Sequence, residues 1–508
     1  MRKIGLLLLM IILVCINCKK ENEIQPNILF IFADDLGYGE LGSYGQEKIE
    51  TPNLDELAEN GMRFTQYYSG SPVCAPSRCI LMTGQHSGHA YIRGNDEMRS
   101  RGDVWDHRAM AHNPGLEGQY PLADSIVTIA EKLKDGGYST ALFGKWGLGY
   151  PGSESLPRTQ GFDYFYGYNC QRQAHNLTPL HLWRNEEKDI LKNDTLIPRT
   201  LLADDANPYD PNSYDKYNMP GYAPTFIFND LLNYVDNIGA DPFSIFWESP
   251  IPHVPLQAPK NWIDHYVQKF GDEEPYLGDK GYFPCRYPNA TYAAMISYFD
   301  ENIGILIQKL KEKGLYENTL IMFSSDNGPT YAGGVDATYF DSAKPFKSER
   351  GYAKGFVKEG GIRVPLIASW PGMIQAGSIS DHIASSQDIY PTFCDLAGID
   401  FNNNDIDGVS FKSALLQKKD QVAHDHLYWE FPEGQGQVAV RKGKWKAFIP
   451  RVKEGNDQLE LYNLELDPLE TTNIANDNVD LVDQMWEIIR AEHSTSFHPR
   501  WQLALLDQ

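Results

Sequence analysis

The sequence predicts an α/β protein: a large domain built on a mostly parallel sheet, then a smaller α+β domain. Two observations carry this. Short apolar runs alternate with helical stretches through most of the 508 residues, which is the pattern of successive strand and helix units. From about Val422 that texture gives way to shorter strand-like segments and one closing helix.

The first strand spans Asn27 to Ala33, a continuous apolar run suited to burial on both faces. It stops at Asp34 and Asp35. Thr51 and Pro52 open a helix over Asn53 to Asn60, and Gly61 closes it. A helix near Asp124 to Lys134 leads into a strand at Tyr138 to Phe143. A long amphipathic helix from Tyr292 to Lys313 leads into Leu320 to Ser324. After a helix at Asp388 to Leu396, the Asn- and Asp-rich stretch Ile399 to Asp407 and the Lys418 to Gln421 region form a linker zone. The large domain is therefore assigned to 25–420 and the smaller one to 421–508. Its strands are Leu427 to Phe431, Gln437 to Val440 and Trp445 to Ile449, and its helix is Val479 to Glu492.

Open α/β sheets bind ligands beyond the carboxyl ends of their strands. Asp34, Lys145, His253 and Asp326 all follow such predicted ends. Two carboxylates closing one buried strand repel each other, and a hard divalent cation relieves the conflict. Asp326 and Asn327, in SSDNGP, end another apolar run in the same way. Together the two tips offer three carboxylates and one amide oxygen, an all-oxygen set suited to Ca²⁺ or Mg²⁺ rather than zinc.

Charge and cysteines narrow the function. With 45 Lys plus Arg against 68 Asp plus Glu, the formal charge is −23, so a nucleic-acid partner is excluded and any anionic substrate must meet a locally positive pocket. The 29 Tyr and 10 Trp suit packing and stacking on ring-shaped ligands. Arg2 and Lys3 precede an apolar run from Ile4 to Ile16, so residues 1–18 read as a signal peptide. The run ends at Cys18, followed by Lys19, Lys20 and Glu21, and resembles a bacterial lipoprotein signal whose Cys18 is lipidated. The expectation is export across the inner membrane to the periplasm or outer membrane, with membrane contact only through that lipid. Beyond the signal, Cys74, Cys79, Cys170, Cys285 and Cys394 are odd in number and widely spaced, which argues against a disulfide framework.

The string CAPSRCILMTG, Cys74 to Gly84, is long and specific. It resembles the motif of the formylglycine-dependent sulfatases, matched at Cys74, Pro76, Ser77, Arg78, Thr83 and Gly84. The likeness extends over nearly the whole chain after the signal. It includes NILFIFADDLGYGELGSYG, GKWGLG (Gly144 to Gly149), GFDYFYGY, PHVP (Pro252 to Pro255), SSDNGP and KGFVKEGGIRVP (Lys354 to Pro365).

That resemblance implies an alkaline-phosphatase-like α/β/α sandwich followed by a domain with a short antiparallel sheet. It implies that a separate maturation enzyme oxidises Cys74 to formylglycine, whose hydrated aldehyde offers one hydroxyl to attack sulfur and another to expel the product. Asp34, Asp35, Asp326 and Asn327 would hold one Ca²⁺ with the modified Cys74, and Arg78 would hold the diol. Lys145 and Lys354 would grip the sulfate, with Lys347 as an alternative to Lys354. His253 would protonate the leaving alcohol. Where the family commonly has His in GKWHLG, this chain has Gly147, which leaves the base of the second step unassigned. The nearby NCQRQAHN offers Gln171, Arg172 and His175 as sulfate or sugar contacts, His175 also as a partial substitute.

By analogy with bacterial carbohydrate sulfatases the expected substrate is a sulfated glycan bearing galactose or N-acetylgalactosamine sulfate. Two rivals stand beside it. A phosphatase or phosphodiesterase of the same superfamily would share the metal-binding strand tips, and a catalytically silent glycan-binding protein would account for Gly147.

Overall fold

The computed structural model describes residues 25–102 and 106–507; the signal segment and Cys18 lie outside them. Ten strands form one large sheet: β1 (Asn27–Asp34), β2 (Met62–Phe64), β3 (Ser139–Lys145), β4 (Tyr164–Tyr168), β5 (His181–Arg184), β6 (Glu187–Ile190), β7 (Phe243–Pro252), β8 (Thr319–Ser325), β9 (Leu366–Ser369) and β10 (Ser378–Ser380). Their order across the sheet is β10-β2-β9-β8-β1-β7-β3-β4-β5-β6. The central five, β8 through β4, are parallel. Antiparallel pairs β9 with β8 and β5 with β4 extend it on either side.

Strand alternation explains the layers. In β1, Leu29, Ile31 and Ala33 join one apolar cluster while Ile28, Phe30 and Phe32 join another, because successive side chains point to opposite faces. Helices α1 (Pro52–Glu59), α2 (Cys74–Thr83), α3 (Ile129–Asp135), α4 (Ala223–Asp236), α5 (Pro288–Glu312) and α6 (Ile389–Ala397) cover those faces. The cluster on the first face includes residues of α1, α4 and α5. That on the second includes residues of α2, α3 and α6, which makes the α/β/α sandwich. The α3 start differs from the predicted Asp124. Thr128 and Glu131 form a reciprocal capping box there, and this fixes the first turn five residues later than Asp124 suggests.

A four-stranded antiparallel sheet follows: β11 (Leu427–Phe431), β12 (Gln437–Lys442), β13 (Trp445–Pro450) and β14 (Glu460–Asn463). One face packs on α7 (Val479–Glu492) through Val438, Val440, Met485 and Ile489. The other packs on the large domain, where Trp429, Phe431 and Phe448 share a cluster with Tyr68, Val73, Val357 and Ile362. That second contact places the small sheet against the segment carrying Cys74 and Lys354.

Candidate active site

Register places the site. Ala33 of β1 pairs with Ser325 of β8, and Asp34 of β1 with Pro252 of β7. Asp34 and Asp35, Asp326 and Asn327, and His253 therefore emerge side by side at the carboxyl end of three adjacent strands. Lys145 ends β3, the next strand along. Cys74 is the first residue of α2, where unpaired backbone N–H groups favour an anion. Asp35 has φ +70°, a left-handed conformation that costs a non-glycine residue about 1–3 kcal/mol. Its N–H donates to Asp326 Oδ1 at 3.0 Å.

The predicted residues converge in a dense buried network. Cys74 Sγ lies 3.3 Å from Asp34 Oδ1 and 3.6 Å from Lys354 Nζ. Lys145 Nζ donates to Asp34 Oδ2 at 2.5 Å, and Lys354 Nζ to Asp35 Oδ1 at 2.5 Å. Asn327 Nδ2 donates to Asp35 Oδ1 at 2.8 Å. Arg78, fully buried, donates to Asp326 Oδ2 at 3.0 Å, to the Lys145 carbonyl at 3.0 Å, and to Glu248 Oε2. Lys347 is elsewhere: its Nζ sits 3.9 Å from the centre of the Tyr352 ring, so Lys354 is the lysine of the site.

Electrostatics follow from burial and close charges. Burial raises Asp326 to about 7, with Asp34 adding to the rise and Arg78 opposing it. Burial also lifts Glu248 to about 7 against the pull of Arg78. Burial acts to raise Asp34 too, but Lys145, His253 and Arg78 outweigh it and hold the carboxyl well below the usual range. Burial pushes the Cys74 thiol up, so the unmodified sulfur is a poor nucleophile. Burial brings His253 down to about 4, with Asp35 opposing.

Two buried oxygens suit a cation. Asp35 Oδ2 and Asn327 Oδ1 have no hydrogen-bond partner among the described residues, although a buried polar atom normally finds one. Ligand atoms of Asp34, Asp35, Cys74 and His253 all lie within 4.8 Å of one another. The predicted all-oxygen set is therefore assembled at one place, with His253 as a further neighbour; its Nε2 is 3.6 Å from Asp35 Oδ2.

The three predicted substrate contacts fare differently. His175 stacks on His253 with ring centres 4.8 Å apart and planes 13° apart. Gln171 borders the position of the departure: Gly147 has φ +74°, and a Cβ built there meets Gln171 Oε1 at 3.6 Å and Arg78 Cδ at 3.8 Å. Among the described residues Gln171 Oε1 has no hydrogen-bond partner. Arg172 Nε is 3.4 Å from Glu97 Oε1, so that guanidinium has a buried carboxyl as neighbour. Sequence reasoning missed Glu248, the counter-ion of Arg78. A single Glu inside the apolar run FSIFWESP was the available signal. It also missed the cavity of about 550 Å³ beside the site, lined by His253, Tyr282 and Lys354 on one side and by Phe431, Glu433 and Arg451 on the other.

The layered fold and the site at its strand tips define the class, an alkaline-phosphatase-like α/β hydrolase. The family described as Sulfatase matches residues 26–399, and that described as N-sulphoglucosamine sulphohydrolase, C-terminal, matches residues 348–494. Arylsulfatase A of Bos taurus is 32% identical over 431 residues, covering 83% of this chain and 74% of the relative. N-acetylgalactosamine-6-sulfatase of Canis lupus familiaris is 29% identical over 433 residues, covering 83% and 71%. The solved structure of Ps i-CgsB in complex with k-i-k-neocarrahexaose superimposes with a TM-score of 0.69 at 25% identity, covering 95% of this chain and 94% of that one. The chain belongs to the sulfatase family, within the alkaline phosphatase superfamily, and is a sulfuric ester hydrolase. That membership implies an aldehyde-bearing residue and a divalent metal, and the carboxylate cluster fits such an ion.

Proposed function

We propose that this sulfatase removes sulfate esters from a sulfated glycan, with galactose or N-acetylgalactosamine sulfate as the favoured target. Cys74 acts as formylglycine, made by a maturation enzyme, and one Ca²⁺ is held by Asp34, Asp35, Asp326, Asn327 and the modified residue. The observation that carries this reading is the convergence of Cys74, Lys145, His253 and Lys354 around carboxylate tips with two unpartnered oxygens. When bound, the ion supplies positive charge against the sulfate oxygens, and the hydrated aldehyde supplies the attacking oxygen.

The chain's own residues do the rest. Arg78, pinned between Asp326 and Glu248, fixes the start of α2 and so the orientation of residue 74. Lys145 and Lys354 bring two ammonium groups to the sulfate. His253 Nδ1 donates to the Val254 carbonyl at 2.6 Å, which leaves Nε2 facing the centre to protonate a sugar oxygen. The glycan assignment draws on the N-acetylgalactosamine-6-sulfatase relative and on the neocarrahexaose bound by the solved neighbour. Tyr282, Phe431 and Phe448 supply stacking surface in the cavity.

The test is peptide mass spectrometry at Cys74 together with sulfate release from matched sulfate and phosphate esters. Formylglycine at residue 74 and sulfate release lost in Cys74→Ala support the reading. Turnover surviving that change, or preference for the phosphate ester, sinks it. We also propose export and lipidation at Cys18, which radiolabelled palmitate on the wild type and not on Cys18→Ser would reveal.

A further inference from the structure

The cavity of about 550 Å³ lies within the range of about 300–1,000 Å³ that holds drug-sized ligands, and so has room beyond one ester group. Its far wall belongs to the small antiparallel sheet: the turn between β11 and β12, and the residue after β13. Two arginines line it, Arg350 and Arg451. Both are solvent-exposed, and among the described residues neither has a carboxylate within ion-pair reach, so each guanidinium is available to an anion in the cavity.

Local structure constrains the side chain of one and the backbone of the other. Arg350 lies over the ring of Tyr331, also a cavity residue, 5.9 Å from its centre, which orients the guanidinium. Arg451 has φ +56° and ψ +38°, a left-handed conformation in which glycine sits without penalty and arginine does not. The acid on the same wall, Glu433, accepts from the Asn95 N–H.

We propose that Arg350 and Arg451 form a second anion-binding subsite, and that the substrate is an oligosaccharide carrying a further anionic group next to the sugar whose sulfate is removed. The group is a carboxylate or a second sulfate ester, since a guanidinium fork matches either. The inference rests on the sulfated-glycan reading above and narrows it.

Three disaccharides test it: one with a single sulfate ester and a neutral neighbour, one with a second sulfate on the neighbour, and one with a uronic acid as neighbour. 4-Nitrophenyl sulfate reports the reaction centre alone. Wild type should prefer one or both doubly charged disaccharides, which identifies the group. Arg350→Gln and Arg451→Gln should each raise KM for the preferred one about ten- to hundred-fold, leaving kcat and the aryl sulfate within about two-fold. Arg451→Gly should do the same while keeping or raising Tm, because it relieves the backbone. Equal KM for all three disaccharides, or equal losses on the aryl sulfate, overturns the subsite. Calorimetric binding of the same disaccharides to Cys74→Ala protein needs no maturation. It therefore separates failure of the subsite from failure of the sulfatase mechanism: ligands bound equally by Cys74→Ala and Cys74→Ala/Arg451→Gln overturn it even if no ester is cleaved.

Discussion

Replacing His253 by Ala separates acid catalysis from sulfate binding. The imidazole is buried, its Nδ1–H is held by the Val254 carbonyl at 2.6 Å, and its Nε2 points at Asp35 Oδ2 3.6 Å away. The tautomer is thus set, and only Nε2 can deliver a proton toward the centre. Burial keeps the ring neutral in the free site, at about 4, with Asp35 opposing; a bound anionic ester beside it favours the charged form. A positioned general acid contributes about 10²- to 10⁴-fold, or about 3–5 kcal/mol of barrier. We therefore expect His253→Ala to lose about 10²- to 10⁴-fold in kcat on a sugar sulfate, whose alkoxide leaves poorly. On 4-nitrophenyl sulfate, whose phenolate leaves unaided, the loss should stay below about ten-fold. Ion chromatography of released sulfate and absorbance of nitrophenolate provide the two rates. Equal losses on both substrates would refute the acid role and assign His253 to sulfate or metal positioning.

Other expectations follow from the same network. Arg78→Met strands Glu248 and Asp326 as buried, unpaired acids, so unfolding in urea should show a loss of about 3–5 kcal/mol; a loss below 1 kcal/mol, roughly the scale of a surface pair, would contradict that. Chelation should abolish turnover while near-UV circular dichroism stays close to native, because Lys145 and Lys354 already pair with Asp34 and Asp35; unaffected rates would contradict the oxygen-ligand set. His89 joins the loop after α2 to Asp407 at 2.9 Å. The hydrogen bond to Asp407 raises His89, against burial. Burial would raise Asp407, but the His89 hydrogen bond outweighs it and the carboxyl is lowered. A raised histidine stabilises below its unfolded pKa and loses that contribution as pH climbs through its folded value, while a lowered aspartate loses its contribution as pH falls. His89→Ala should therefore cut Tm most near about pH 5.5 and least near about pH 9, read by calorimetry; a uniform loss would point to packing alone.

How much of this was legible in the sequence depended on whether the signal was local. The continuous apolar run Asn27 to Ala33 leaves few alternatives to a buried strand, and β1 covers Asn27–Asp34. Val479 to Glu492 matches α7, whose apolar stripe, with Met485 and Ile489 buried, repeats at helical spacing. By contrast β5 and β6, HLWR and EKDI, carry no clean alternation and so no strand signal. In the site, Asp34, Asp35, Asp326 and Asn327 were legible as acids closing apolar runs. Their adjacency is set by the β1 and β8 register, which sequence alone did not supply. The stacking of His175 on His253 and the pairing of Arg78 with Glu248 join positions 78 and 170 apart, and the cavity wall joins two domains; the lone Glu in FSIFWESP is the one local trace of any of them. The neighbour of Arg172, Glu97, lies 75 positions away and has no local signal either.

The charge balance of the site yields one further expectation. Asp34, Asp35, Asp326 and Glu248 face Arg78, Lys145 and Lys354, which leaves an excess of one formal negative charge where a sulfate must bind. Burial already strains that balance by lifting Asp326 and Glu248 toward neutrality, each to about 7. Both lysines proposed to grip sulfate are engaged by aspartates proposed as metal ligands, at 2.5 Å in each case. A divalent ion on those carboxylates reverses the sign of the local charge and releases the ammonium groups from their present partners. Inorganic sulfate should accordingly bind much more tightly to calcium-loaded than to metal-free protein, by about 5- to 150-fold for a typical coupling. Linkage requires sulfate to strengthen calcium binding by the same factor, so two calorimetric titrations in opposite orders check each other. Lys354→Met, which removes one ammonium, should shrink the factor. Equal sulfate affinity with and without calcium would mean that Lys145 and Lys354 are not withheld by Asp34 and Asp35, and that the cation serves the fold instead of the anion site.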